Sequence, residues 1–370
     1  MQIIKKRENI GNVLFFAGIL LELLIMMTDH SQITLPFRGR VSHLAFVLFG
    51  CKILTTDYSK REWLIIALFG ALGAASYFTC KDEYVIRAVV MVVCAKNINL
   101  DKTAKAVFFT ALAGTTLIIL LSLAGVLGTA VDIRNYGRGM EEARWCLGFS
   151  HANNVHDMFW YLLSFFFLLN NKNCNWKHYT FFTAANIALY FLTISRTGVI
   201  VAQVIILAAA LFHYLPEFHQ KMWIYLLSIF GVMTTMFLTL LGGLYGTKNP
   251  LVRFFNRLFT ERLQMVYEHA PVSKWTLFPQ PNSLLYVDNG FAWLFYGYGI
   301  VVGTAYLAII IALIYRMYQK RDGIALAILI TTILVTFMES TFIFNTSLLC
   351  NPVFFLLFNE WYHLGTNDSK

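Results

Sequence analysis

The sequence predicts an all-α, polytopic integral membrane protein: a single multi-helix membrane domain over 1–370 with about twelve transmembrane helices. Three observations predict it. Hydrophobic residues make up 58% of the chain and charged ones 13%, a balance outside the range of a water-soluble domain. Apolar runs of the ~20 residues needed to cross ~30 Å of hydrocarbon recur from end to end. No segment shows the ten-residue alternation of an outer-membrane barrel strand.

The expected spans run near 11–27, 41–54, 62–79, 84–95, 104–128 and 153–170 in the first half. In the second half they run near 177–195, 197–215, 221–246, 288–315, 323–343 and 347–362. The opening run has a basic flank but no small-residue cleavage pattern before Asp29 and His30, so it reads as an uncleaved first span. The runs at 41–54 and 84–95 are the weakest, being short and interrupted by Lys52 and Arg87; omitting both leaves the sidedness of all that follows unchanged. The basic stretches "KKR" (5–7), "SKRE" (59–62), "KNINLDK" (96–102), "NNKNCNWK" (170–177) and "YRMYQKRD" (315–322) all fall on one side. The positive-inside rule makes that side cytoplasmic, together with both termini. Residues 129–152 and 247–287 then form outer-face loops, and long ordered loops usually carry function.

The six cysteines form no C-x-x-C pair and no Cys/His spacing suited to zinc, so neither a disulfide framework nor a metal site is expected. Cys146 and Cys174 are expected on opposite faces, where an impermeant thiol reagent should reach the first and not the second. The net charge of +9 would point to nucleic acid in a soluble domain. Here it is divided between two membrane faces, and no nucleic-acid partner is expected.

That division separates the two cations. Twelve of 15 lysines fall on the cytoplasmic side, whereas ten of 14 arginines (38, 40, 87, 134, 138, 144, 196, 253, 257, 262) fall outside. A topology signal would treat lysine and arginine alike. A phosphate site would not, because guanidinium forks onto phosphate oxygens and keeps its charge in a dry pocket. The competing reading is that these arginines snorkel to lipid headgroups or pair with local acids such as Glu141, Glu142 and Glu261, above all Arg38 and Arg40.

Five constellations carry candidate chemistry. In "ARWCLGFSHANNVHDMFW" (143–160), Arg144, His151, Asn153, Asn154, His156 and Asp157 crowd the entry to a span. Ser150 or Asn153 is a candidate cap, His-x-Asn-Asn suits sugar hydroxyls, and His151 is a candidate base or phosphate donor. His151 and His156 are five apart, the wrong spacing for two metal ligands on one helix face. "FLTISRTGVIVAQ" (191–203) sets Arg196 at a break between two spans, beside two hydroxyls and a glycine, pointing either to headgroups or into the bundle. "NPLVRFFNRLFTERLQMVYEHA" (249–270) reads as one interfacial helix, with Arg253, Arg257 and Glu261 on a polar stripe and Arg262 facing elsewhere. Asp288, before Asn289, reads equally as a helix N-cap and as a base. Glu339 and Asn345 stand near the outer turn of the last helix pair, where a carboxylate is costly unless paired, so Glu339 neutralises an arginine or contacts sugar.

Taken in order, these motifs resemble the Wzy-type polysaccharide polymerases, relatives of the O-antigen ligases, over roughly 130–350. The likeness rests on arginine then "GFSHANN", "SRTG", "TERL" in a long outer loop, "VDNGFAWLFYGYGIVVG" and "MES". Ala152 stands where the commoner pattern has proline, and Asp288 where the ligases carry histidine. The resemblance implies a GT-C-like glycosyltransferase fold in a bacterial cytoplasmic membrane. The implied activity is polymerisation of undecaprenyl pyrophosphate-linked oligosaccharide repeat units at the outer face, without metal ion or cofactor. The partners implied are that lipid-linked oligosaccharide, membrane lipid, and the chain-length regulator and flippase of the same pathway. By resemblance Arg196 and Arg262 match the pyrophosphate-binding arginines and Asp288 sits at the ligase base; Arg144 joins the first group. Asn153, Asn154, Asn289, Glu339, Arg253 and Arg257 are the candidate sugar and substrate contacts. Two rivals remain: a ligase that passes finished glycan to another acceptor, and a flippase for the same lipid-linked sugar, which would need a route to both faces.

Overall fold

The computed structural model describes residues 2–135, 141–279, 287–340 and 347–366. Arg138 and Asn345 lie outside the described residues. Helices dominate: α1 (Gln2–His30), α2 (Arg38–Leu54), α3 (Lys60–Cys80), α4 (Tyr84–Cys94) and α5 (Leu100–Leu123) precede a hairpin of β1 (Val131–Asn135) and β2 (Glu141–Trp145). There follow α6 (Ala152–Asn170), α7 (Trp176–Thr193), α8 (Arg196–Tyr214), α9 (Met222–Tyr245), the short α10 (Pro250–Leu258), α11 (Arg262–His269) and α12 (Gly290–Gly297), then α13 (Gly299–Lys320), α14 (Gly323–Met338) and α15 (Pro352–Thr366). Among the described residues six helices are long and apolar enough to cross a membrane: α1 from Arg7, α3, α5, α8, α9 and α13. α4 and α14 are apolar but shorter.

The helix starts are written in the sequence. Ser59 and Glu62 cap α3 reciprocally, and Glu62 then takes the Lys96 ammonium at 2.7 Å, which ties "SKRE" to "KNINLDK". Asn99, Asn175, Ser195, Asn249, Asn289 and Asp322 cap α5, α7, α8, α10, α12 and α14 through their side-chain oxygens. One contiguous apolar core runs from Phe15 to Phe358, with α6 packed among α5, α7, α8 and α14. At Gly198 α8 packs tightly on α6: a Cβ there would lie 2.4 Å from that of His156. A buried ion pair crosses this apolar interior. Arg87 of α4 meets Glu22 of α1, which also accepts from Ser347 Oγ at 2.6 Å and from the Leu348 amide.

The fold departs from the expected elements in four places. The loop 129–152, expected on the outer face, carries a two-stranded antiparallel hairpin, a β element in a chain expected to be all-α. The segment 249–270 is two helices, not one, because Thr260 (φ 49°) and Glu261 (φ 66°) are left-handed and end α10. That removes Glu261 from the Arg253/Arg257 stripe and makes Arg262 the first residue of α11. The span expected over 288–315 breaks between α12 and α13 at Gly299 (φ 87°), where the backbone of 276–278 inserts: Ile300 N donates to Thr276 O and Val301 N to Leu277 O, and a Cβ on Gly299 would meet Leu277 O at 2.7 Å. Finally, Cys146 and Cys174 are both buried, so they cannot serve as the topology probes their sequence positions suggested.

Candidate functional site

The site lies at one end of the bundle, where α6, α8, α11 and α14 begin or stop. Residues expected on the outer face converge there: Ser150 N donates to His30 O, and Asn154 Nδ2 donates to His30 O at 3.3 Å and to Ser150 Oγ at 2.8 Å. Lys96 and Glu62 meet at the opposite end, with Arg7 beside Asp57.

Its centre is the ion pair between Arg262 and Glu339. The left-handed break at Thr260–Glu261 turns Arg262 inward at the start of α11, and α14 ends one residue before Glu339. Arg262 Nη2 donates to Glu339 Oε1 at 2.6 Å, and Nη1 donates to Thr260 Oγ1 at 2.9 Å and Thr197 Oγ1 at 3.4 Å. The guanidinium is nine-tenths buried, and its Nε–H has no hydrogen-bond acceptor among the described residues. Asn153, in the first turn of α6, donates through Nδ2 to the same Glu339 Oε1 at 3.1 Å. Glu339 Oε2 has no hydrogen-bonding partner among the described residues.

Two further carboxyls act on this pair. Asp157 lies four residues after Asn153 on the same face of α6, is buried, and is within electrostatic reach of both Glu339 and Arg262. Asp288, half-buried just ahead of α12, adds its negative charge to the field at Glu339. Burial pushes Glu339 up to about 7; Arg262 opposes the rise, Asp288 adds to it and the Asn153 bond opposes it. A single buried guanidinium facing three carboxyls is the arrangement in which one of them keeps a proton near neutrality.

The remaining sequence candidates are placed as follows. Arg196 is exposed at the first turn of α8, next to Thr197. Arg144 is buried in β2, with Nε and Nη2 both on Glu142 Oε2 at 3.0 and 2.6 Å, the local pairing its acidic neighbours allowed. Arg38 likewise pairs with Asp29. Arg253 and Arg257 are exposed on α10, where Arg253 Nε donates to Thr247 O. Asn154 ties α6 to the end of α1. Asn289, not Asp288, is the N-cap of α12, and it donates to Thr239 Oγ1 at 3.3 Å, which leaves the Asp288 carboxylate outside that cap.

His151, not Ser150 or Asn153, caps α6: its Nδ1 accepts from Asn153 N at 3.1 Å. A neutral ring that accepts at Nδ1 carries its proton at Nε2, where it is a donor. His156 points the other way, into the junction of α6, α7 and α8. Its Nε2 meets Asn186 Oδ1 at 3.1 Å and its Nδ1 meets Thr193 Oγ1 at 2.9 Å, while Asn186 Nδ2 donates to Val199 O and Gln203 Oε1.

The structure therefore brings Arg262, Glu339, Asn153 and Asp288 together and keeps Arg144, Arg253 and Arg257 apart from them. Asp157 was named in the 143–160 cluster without a role, and Thr260 was not singled out by sequence reasoning. The spacing of Asp157 from Asn153 was the signal that could have given it a role. Among the described residues no cluster of histidine, cysteine and carboxylates suits a metal ion. In comparisons with protein-family models, curated proteins and solved structures, nothing matches this chain.

Proposed function

We propose that this chain is a glycosyltransferase of the Wzy type. In this reading it joins undecaprenyl pyrophosphate-linked oligosaccharide repeat units at the outer face of a bacterial cytoplasmic membrane, as a multi-pass protein of about twelve spans with a GT-C-like fold. The observation that carries the reading is the buried Arg262 guanidinium with an unfilled Nε–H, held beside carboxylates and an asparagine where the helices end. The reaction needs those two kinds of group at one place. Negative charge grows on the departing pyrophosphate, and a fixed guanidinium in a dry site meets it without reorganising. The attacking sugar hydroxyl must lose a proton, and a carboxylate near neutral pKa is matched to that task. The new bond joins the acceptor oxygen to the anomeric carbon as the carbon–oxygen bond to pyrophosphate breaks, with inversion. Exposed Arg196 at the rim suits the outer phosphate, and Asn153 suits sugar hydroxyls.

The test is to reconstitute the protein in liposomes with undecaprenyl pyrophosphate-linked repeat units and follow product mass. A ladder spaced by one repeat unit with release of undecaprenyl pyrophosphate supports the reading. A single transfer to a different acceptor points to a ligase. Movement of the lipid-linked sugar between leaflets without a ladder points to a flippase and removes the chemistry proposed for the site.

A further inference from the structure

We infer that Glu339 is a displaceable counter-ion: an incoming pyrophosphate draws Arg262 away from it, and the carboxylate so released is the base that takes the proton of the attacking hydroxyl. This rests on the polymerase reading and goes past it, because it couples binding of the leaving group to arming of the base and gives Glu339 the role that the sequence pattern assigned to Asp288.

The geometry of the pair is that of a latch. Both Arg262 Nη2 and Asn153 Nδ2 converge on Oε1, so Oε2 is the oxygen left for a hydroxyl. Arg262 has one guanidinium edge on Glu339 and its Nε–H unused, so a phosphate can begin to engage Arg262 before the pair separates. Pyrophosphate offers more negative charge and more acceptor oxygens than one carboxylate, and guanidinium binds it through two parallel bonds. Thr197 and Thr260 already hold Nη1 and steady the side chain as it changes partner.

What Arg262 leaves behind favours proton uptake. The groups around Glu339 are Arg262 from α11, Asn153 and Asp157 from α6, and Asp288 ahead of α12, with Thr197 and exposed Arg196 on α8. Arg262 is the buried cation of that set. Once it turns to pyrophosphate, Glu339 faces two carboxyls and a new anion, and each of these favours its protonated form. Where the site is filled by substrate, the proton at hand is that of the acceptor hydroxyl. Its oxygen bonds to the anomeric carbon, its proton passes to Glu339 Oε2, and the pyrophosphate leaves with the electron pair of the broken bond. When the product departs, Arg262 returns to Glu339, lowers its affinity for the proton and releases it to water.

Binding of undecaprenyl pyrophosphate to the purified protein, measured calorimetrically in two buffers of different ionisation enthalpy, tests this. Wild type should bind with proton uptake. Glu339→Gln, which removes the competitor for Arg262, should bind about tenfold tighter and without that uptake. In the reconstituted assay the same variant should lose elongation with no rise in KM. If the variant does not fold, proton uptake by wild type decides alone. Equal or weaker binding by a folded Glu339→Gln, or wild-type binding without uptake, overturns the latch and leaves the polymerase reading standing. No binding of undecaprenyl pyrophosphate by wild type removes both.

Discussion

Replacing Arg262 by alanine should separate chemistry from stability, because the carboxylate it leaves behind can protect itself. Breaking a buried ion pair usually costs about 3–5 kcal/mol, since the orphaned charge stays in a dry site. Burial, however, raises Glu339 well above the usual carboxylate range, so near neutral pH taking up a proton costs it little. The stability loss should therefore fall below that range, on the order of 2 kcal/mol, coming mainly from the lost hydrogen bonds to Glu339, Thr260 and Thr197. Turnover has no such escape. Without a guanidinium at the leaving group the barrier should rise by about 3 kcal/mol, or ~10² in rate. The pH dependence discriminates further. Glu339 is raised in the folded protein above its ordinary 4.5, so the unfolded chain holds fewer protons over that window and stability falls as pH rises through it. In wild type the fall runs through 7 and levels off about one pH unit above it. Without Arg262 the folded value is higher still, so the fall continues and the gap between variant and wild type widens by about 1.4 kcal/mol for each further pH unit. Thermal unfolding in detergent at pH 6, 7 and 8, set beside ladder formation in liposomes, measures both. A gap in unfolding midpoint that stays constant or narrows with pH would refute the electrostatic account of the pair; an unchanged elongation rate would remove Arg262 from the chemistry.

Asp288→Asn abolishes elongation while protein remains in the membrane if Asp288 is the base. If Glu339 is, the loss should be roughly tenfold, from the altered field alone; quantified ladders separate the two. Gly198→Val should impair folding by more than ~2 kcal/mol, because its Cβ would fall 2.4 and 2.6 Å from His156 Cβ and Cγ at the α6–α8 contact, and the folded fraction by size exclusion reads it. Glu22→Gln should cost on the order of 3 kcal/mol by leaving Arg87 buried without its carboxylate, and Glu22→Gln with Arg87→Met should recover most of it; midpoints that add without coupling would contradict the pairing. Cysteine at exposed Arg253 in a background lacking the native cysteines should react with an impermeant reagent in intact cells, and one at exposed Lys177 should not, if the expected sidedness holds.

Apart from caps displaced by one residue, as from Ser150 to His151 and from Asp288 to Asn289, the long apolar helices were legible because their signal is local: a run of apolar residues decides them. The breaks were not. Thr260 and Glu261 carry no glycine or proline to announce a left-handed pair, and the α10 stripe of Arg253 and Arg257 continues smoothly in sequence into Glu261. Gly299 did offer a signal, but the insertion of 276–278 that exploits it is a long-range event. The hairpin at 131–145 was masked by its charge, since residues such as Asp132, Arg134, Glu141 and Glu142 read as loop.

The arginine asymmetry was informative as a set and uninformative for single residues. Ten arginines on one expected face pointed to an anion, yet Arg38 and Arg144 meet neighbouring acids, and Arg196, Arg253 and Arg257 are exposed. What distinguishes Arg262 is partner distance along the chain. Arg144 finds Glu142 two residues away, a pair that forms in almost any fold, whereas Arg262 meets Glu339 across 77 positions and Asn153 reaches the same oxygen across 186. A local pair needs no tertiary structure to hold it. A pair assembled from α6, α11 and the end of α14 exists only because three helix ends are brought to one point, and it leaves a buried donor unused there. Burying charge at that point costs stability unless it is compensated, so the chain carries a liability that packing alone does not require. A ligand with its own negative charge is what makes such a site useful, and that is why the anion reading settles on Arg262 and not on the larger set.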